Sequence, residues 1–458
     1  MATNVPSTHD QQVLEEIWSL LEGLGYNTRL VDCVVEALTL LTLRAAVEKT
    51  HPRTWEDIRQ NPPSQQAKTT RLLVSTVLSR AEQYRIPEGK VISRRTFPPT
   101  IISALIAIIS DPRLGQGPLA VVSFARAYEF LLDRVADCTP PDFLGPPPPR
   151  WVRELITGML RPHQGVVYDP CARSGQLLTA LDDYQQTTDT AERLVLCGQE
   201  NDPVRWRQGH EQAVLRGTRI DLGSQPLDMF GSYLDDGNGP GGWWFRQEMH
   251  PGLECDFCVS YPPASFIDSG LEFVLTDPRW EFGPGMPDPA DFAWLQLAYH
   301  HLRPGGTAAV MLSADTLFSD DWEMNRVRTN MISEGVVRCI IHLSSGNHPG
   351  GSHVPTALWV CSRPDNDMSS TVQGHGRDQQ ILLVDLSQAV SGVSDSRDVG
   401  SDRVLQKIIS FYYHWGLNNS LPVPLDLTEL AISISADKIL DGGGKLIPSY
   451  WIGHQKGI

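Results

Sequence analysis

Val166-Val-Tyr-Asp-Pro-Cys-Ala-Arg-Ser-Gly-Gln-Leu-Leu178 reads as a short β-branched strand, a tight turn around Asp169 and Gly175, and the start of a helix. A strand that ends in a carboxylate and turns through small residues into a helix N-terminus is how open α/β sheets build a pocket for a nucleotide-like ligand. A second strand and turn follow at Cys255-Asp-Phe-Cys-Val-Ser-Tyr-Pro-Pro-Ala-Ser-Phe266.

Around these two stretches the hydrophobic pattern cycles through strand, turn and helix. Strands are predicted at 166–168, 194–197, 257–260, 307–312, 336–343, 357–361 and 381–384, with the clearest helices at 288–302 and 320–334. A mostly parallel, doubly wound sheet is the economical arrangement of such a series. Two loops stand out, 235–252 with Trp243 and Trp244, and 344–355 with Asn347, His348 and His353. Long loops at the carboxyl edge of a sheet tend to carry function.

Before this region the period is helical. Val13, Ile17, Leu20, Leu21 and Leu24 share one face, Gly25-Tyr-Asn27 interrupts it, and 30–47 resumes the pattern. Further helices are predicted at 67–84, 98–110 and 117–136, so residues 1–138 are expected to form an all-helical N-terminal domain. Residues 139–149, ending in four consecutive prolines, cannot continue a helix and predict a stiff, extended connector. The α/β domain is expected over 150–390, opened by a helix at 150–160, and a C-terminal helical tail over 391–458, with a helix at 402–415.

The formal net charge of −16 argues against a free-standing nucleic-acid binder, because Lys and Arg contacts to phosphate supply most non-specific affinity. Contact with DNA must then come from a local patch or a partner. No apolar run approaches membrane-spanning length; the best, 101–109, breaks at Ser110-Asp-Pro112. The first residues lack the basic-then-apolar pattern of a secretory signal, and the eight cysteines lack a framework spacing, which together predict a cytoplasmic protein.

The turn at Asp169 resembles a known motif. Tyr168-Asp-Pro-Cys-Ala-Arg-Ser-Gly-Gln-Leu-Leu178 is similar to the Asp-Pro-Ala-Cys-Gly-Ser-Gly-Gly-Phe-Leu motif of DNA adenine-N6 methyltransferases, above all the modification subunits of type I restriction-modification systems. The resemblance implies a Rossmann-like class I domain dependent on S-adenosylmethionine, behind an all-helical N-terminal domain. It places Asp169, followed by Pro170, near the methionine amino group, with Ser174 and Gly175 letting the backbone approach the cofactor. Arg173 and Gln176 replace two of the motif's glycines.

Leu194-Val-Leu-Cys-Gly-Gln-Glu-Asn-Asp-Pro203 ends the second strand in acidic residues. A carboxylate there can accept hydrogen bonds from both ribose hydroxyls, a charge-assisted contact of roughly 1.5–3 kcal/mol. The family has Gly-Gln-Glu at this point, which makes Glu200 the implied ribose ligand. Ile220-Asp-Leu-Gly-Ser-Gln-Pro-Leu227 resembles the segment that reads the adenine amino group; Ser224 sits where the family has a carboxylate or amide, with Asp221 as a nearby substitute.

Ser260-Tyr-Pro-Pro-Ala-Ser-Phe266 stands where amino-methyltransferases carry Asn-Pro-Pro-Tyr or Asn-Pro-Pro-Phe. An exocyclic adenine nitrogen is a poor nucleophile, because its lone pair is delocalised into the ring. An amide oxygen and a proline-held carbonyl accept its two hydrogens and free the lone pair, while an aromatic ring stacks on the flipped base. Tyr261, Pro262, Pro263 and Phe266 would play these parts here, with Tyr261 in place of the asparagine and Ala264 in place of the aromatic; Ser260 closes the strand beside the cofactor. Asn61-Pro-Pro-Ser64 follows no strand and reads as a loop between helices, while Cys255 and Cys258 read as core and no metal site is predicted.

The likeness spans most of residues 10–390, including 291–311, 333–343 and 354–360, although the family's Tyr-Thr-Pro is replaced by Pro147-Pro-Pro149. The expected function is a DNA adenine-N6 methyltransferase subunit that uses S-adenosylmethionine and reaches DNA through a separate specificity subunit, with homodimer or hetero-oligomer left open. Two other readings remain: a transferase acting on a small molecule or peptide, and an inactive methyltransferase-fold partner, the latter drawn from Arg173, Ser224, Tyr261 and Ala264.

Overall fold

The computed structural model describes residues 8–25, 30–80, 97–115, 119, 122–138, 147–188, 192–227, 249–263, 279–283, 291–343, 356–365, 379–387, 399–417 and 421–455. Contacts divide the chain into two compact units: Met1–Pro140 with Arg173–Gly175 and Asn201–Pro226, and Pro141–Ala172 with Gln176–Glu200 and Leu227–Ile458. Among the described residues no helix is long and apolar enough to cross a membrane.

The strands are β1 (Val166–Asp169), β2 (Val195–Gly198), β3 (Ile220–Asp221), β4 (Cys255–Ser260), β5 (Leu302–Ser313), β6 (Val337–Leu343), β7 (Thr356–Ser362), β8 (Gln380–Leu386) and β9 (Ala431–Ser435). All but β3 belong to the larger unit, where they follow the order β2-β1-β4-β5-β7-β6-β8-β9. Pairs β1–β2, β1–β4, β4–β5 and β6–β8 are parallel. β7 lies antiparallel between β5 and β6, and β9 antiparallel to β8. The expected mostly parallel sheet is therefore corrected to a mixed one beyond β5. Strand direction leaves no trace in hydrophobic periodicity, and a strand buried on both faces is an unbroken apolar run in either orientation.

Burial explains the runs themselves. Val310, Leu312, Ile340, Trp359 and Leu383 are all at most 2% exposed in one core, each contributing roughly 1.5–3 kcal/mol of apolar transfer. Trp359 also satisfies its indole N–H on Thr316 Oγ1 at 3.0 Å. The predicted helix at 320–334 is Trp322–Ser333, capped by Asp321, whose carboxylate accepts from Glu323 N and Met324 N. The fully buried Arg328 within it donates to the carbonyls of Gly444, Thr316 and Ser319, at 2.9, 3.2 and 3.1 Å, so the C-terminal segment is anchored to this helix. The 391–458 segment thus holds β9 as well as the helices Val399–Leu417, Ala436–Asp441 and Pro448–Gln455.

The smaller unit is helical, with Thr8–Gly25, Leu30–Thr50, Pro52–Gln60, Pro63–Arg80, Pro99–Ile109 and Phe124–Cys138 joined by Pro203–Arg216 and β3. Asn61-Pro-Pro-Ser64 is the junction of two of these helices, with Asn61 as C-cap of one and Pro63 opening the next. The helix predicted from 117 starts only at Phe124, because Val122 pairs instead with the 113–115 backbone, donating to Arg113 O at 3.0 Å and accepting from Gly115 N at 3.1 Å. The carboxyl group of Glu211, 0% exposed, accepts from Thr39 Oγ1 at 2.8 Å and from the Tyr128 hydroxyl at 2.6 Å, so the Pro203–Arg216 helix is tied to two others through one buried acid. Burial pushes both the Glu211 carboxyl and the Tyr128 phenol above their usual ranges.

Candidate active site

Parallel registry brings three predicted site residues to one edge of the larger unit. Asp169 ends β1 opposite Gly198 of β2, and Tyr168 pairs with Cys258 of β4, so Glu200 and Ser260 fall just beyond or at the carboxyl ends of the two flanking strands. Asp169 is 1% exposed, and its Oδ1 accepts from Cys171 N at 3.0 Å and from Ser260 Oγ at 3.1 Å. The turn after β1 and the end of β2 are laced together: Gln199 N donates to Asp169 O at 3.0 Å, and Ala172 N donates to Gln199 O at 2.8 Å. Glu200 and Pro170 are buried beside these residues in the chain.

Tyr261, Pro262 and Pro263 follow Ser260 directly and are buried. Phe266 and Ala264 lie outside the described residues, as do Trp243, Trp244 and the 344–355 loop with its two histidines. Cys255 and Cys258 are 0% exposed, and burial, then a hydrogen bond with Cys255, drives the Cys258 thiol well above its usual range. Both are core residues, as the sequence suggested. Among the described residues no cluster of three His, Cys, Asp or Glu side chains is placed to hold a metal ion.

The rest of the glycine turn is counted with the smaller unit. Gly175 has φ +76°, and a Cβ on it would meet Gly209 Cα at 3.5 Å, so the turn needs glycine for its dihedral more than for space. Gln212 holds the turn by donating its side-chain amide to Ser174 O. Arg173, 3% exposed, adopts φ +51°, a left-handed conformation that explains why the related motif has glycine there. Ser224 is exposed in the turn after β3. The nearby Asp221 accepts from Gly223 N at 2.9 Å and so braces its own turn.

Two contributors were not singled out from the sequence. Gln199 sits between the family's glycine and glutamate and was visible as such; His250, whose Nε2 lies 3.0 Å from Gly198 O, had no local signal. Two buried carboxylates at neighbouring parallel strand ends suit a ligand that carries an ammonium group and a ribose. The residues present therefore fit S-adenosylmethionine.

This edge, with Pro262-Pro263 directly after the strand next to β1, is that of a class I methyltransferase that uses S-adenosylmethionine. Residues 121–456 match the N-6 DNA methylase family, and the chain belongs to that family of DNA adenine-N6 methyltransferases. Among curated relatives it is 25% identical over 331 residues to the type I restriction enzyme HindI methylase subunit of Haemophilus influenzae, covering 72% of this chain and 68% of that one. It is 22% identical over 364 residues to the MjaIX methylase subunit of Methanocaldococcus jannaschii, covering 77% and 59%. The crystal structure of a type I restriction-modification methyltransferase subunit from Streptococcus thermophilus superposes with a TM-score of 0.63 at 16% identity, covering 95% and 97% of the two chains. That of a modification subunit of a type I restriction enzyme from Vibrio vulnificus gives 0.51 at 18%, covering 79% and 69%. These two likenesses establish the shared fold.

Proposed function

We propose that this chain is the methylating subunit of a type I modification enzyme, working in the cytoplasm on adenine N6 in DNA selected by a separate specificity subunit. The observation that carries the reading is the alignment of Asp169, Glu200 and Ser260 at three adjacent parallel strand ends, immediately before Tyr261-Pro-Pro263. The cofactor, when bound, supplies a methyl group on a sulfonium. Asp169 takes its ammonium group and Glu200 its ribose hydroxyls, while Pro170, Ser174, Gly175 and Ser224 shape the rest of its site. Ser260 keeps the Asp169 carboxylate oriented through the 3.1 Å hydrogen bond. The Tyr261 phenol oxygen and a carbonyl of the Pro262-Pro263 turn accept the two amino hydrogens of adenine, and Phe266 offers its ring to the base. In this reading residues 1–138 and 150–390 act as a helical domain and a catalytic domain on either side of the 139–149 connector. The net charge of −16 assigns most phosphate contacts to the partner.

The test is methyl incorporation into duplex DNA by the chain with its specificity subunit, with adenine-N6 product read by mass spectrometry. Activity lost in Tyr261→Phe and kept in Tyr261→Asn supports the assignment. A second reading, a methyltransferase fold kept as a non-catalytic partner, is favoured by Tyr261 in the asparagine position; absence of cofactor binding, alone or with the specificity subunit, would select it.

A further inference from the structure

Gln199 is 1% exposed and is bonded on four sides. Its backbone N–H donates to Asp169 O at 3.0 Å and its carbonyl accepts from Ala172 N at 2.8 Å. Its side-chain Nε2 donates to Leu227 O at 3.2 Å and its Oε1 accepts from Met249 N at 3.1 Å. The residues on either side join the same arrangement: Leu227 N donates to Glu200 O at 2.8 Å, and His250 Nε2 lies 3.0 Å from Gly198 O. Residues 198–200 are thereby held to the 169–172 turn by backbone, and to residues 227 and 249–250 by the Gln199 amide together with the carbonyls of Gly198 and Glu200.

We propose that Gln199 is a positioning residue for the cofactor, fixing the Glu200 carboxylate relative to the Asp169 turn so that the ribose and methionine ends are held at a set separation. The inference rests on the reading of Asp169 and Glu200 as cofactor ligands. The chemistry of the clasp requires an amide, because the same planar group must donate to one chain segment and accept from another. A carboxylate in its place only accepts, and a thioether side chain offers no donor. Loss of the clasp leaves Leu227 O and Met249 N without this partner, and residues 198–200 are then held on the side away from β1 by the Leu227 N–Glu200 O bond and the His250 Nε2–Gly198 O contact. Asp169 keeps its own bonds from Cys171 N and Ser260 Oγ, so the variant alters the span between the two carboxylates more than either one alone.

The experiment compares the full chain with Gln199→Met and Gln199→Glu, by calorimetric titration with S-adenosylmethionine and by hydrogen exchange of the 249–253 amides in the free protein. With the specificity subunit added, KM and kcat are measured separately. The expected result is faster exchange at 249–253, a rise of about tenfold in Kd and KM for the cofactor, and kcat at saturating cofactor unchanged within about twofold. A residue that served stability alone would lower the melting temperature and the active fraction with no change in KM. Faster exchange with wild-type cofactor affinity overturns the proposal, as does unchanged exchange. A parent protein that binds no cofactor sinks the underlying reading instead, while the exchange data still report on the clasp.

Discussion

Ser260 and Asp169 form the buried hydrogen bond on which the candidate site is built, 3.1 Å between Oγ and Oδ1 with both side chains at most 1% exposed. Ser260→Ala removes a donor from a carboxylate that water cannot reach, so it should cost about 1–3 kcal/mol in urea unfolding and also weaken cofactor binding. Equal stability of variant and parent would contradict this geometry. In the helical unit, burial pushes the His210 imidazole down to about 4, with Asp221 acting in the opposite direction. A histidine whose folded pKa is depressed stabilises fully above its unfolded pKa of about 6.5, and its contribution is lost as the pH falls from there toward 4. The loss should reach about 2 kcal/mol at pH 5, seen as a smaller pH 7 to pH 5 fall in unfolding free energy for His210→Gln than for the parent. Positions were partly legible: Asp169 and Glu200 were expected at strand ends, and that is where they lie. The hydrogen bond from Ser260 and the four-sided bonding of Gln199 were not, because they join segments far apart in the chain.

The strands were legible where hydrophobicity is continuous. β1, β2, β4 and β6 to β8 fell within a few residues of their predicted ranges, since each is a short, mostly buried apolar run, whereas β5 begins five residues earlier than expected, at Leu302 before the exposed Arg303-Pro-Gly305 stretch. β3 is only two residues long, and β9 lies in a segment read as helical although Ala431-Ile-Ser-Ile-Ser435 alternates with a strand period. The helix Pro52–Gln60 was missed as well, being short and strongly polar apart from the buried Trp55 and Ile58. The bond between the Trp322–Ser333 helix and the C-terminal segment rests on Arg328, whose guanidinium is lowered to about 10 by burial. Arg328→Met would leave the carbonyls of Gly444, Thr316 and Ser319 without their donor, a loss of about 3–5 kcal/mol that chemical unfolding should register. Arg328→Lys should recover only part of it, because an ammonium cannot reproduce the planar fork. A neutral Arg328→Met would mean that the C-terminal segment is held by its other contacts, the β8–β9 pairing and the Leu446 N–Leu317 O bond among them.

Across the larger unit, the strand-end carboxylates and Tyr261-Pro-Pro263 gather at one edge of the sheet. Family membership was legible because the motifs are local and ordered, whereas mixed strand direction in the sheet is a property of long-range pairing. The central claim is that this edge binds S-adenosylmethionine despite Arg173 and Tyr261. Calorimetric titration of the full chain with S-adenosylmethionine, beside Glu200→Ala, tests it most directly. The account predicts saturable one-to-one binding that Glu200→Ala weakens by at least about tenfold, equivalent to roughly 1.4 kcal/mol for the lost ribose contacts. Absence of binding in the parent chain, or equal affinity in Glu200→Ala, would contradict it.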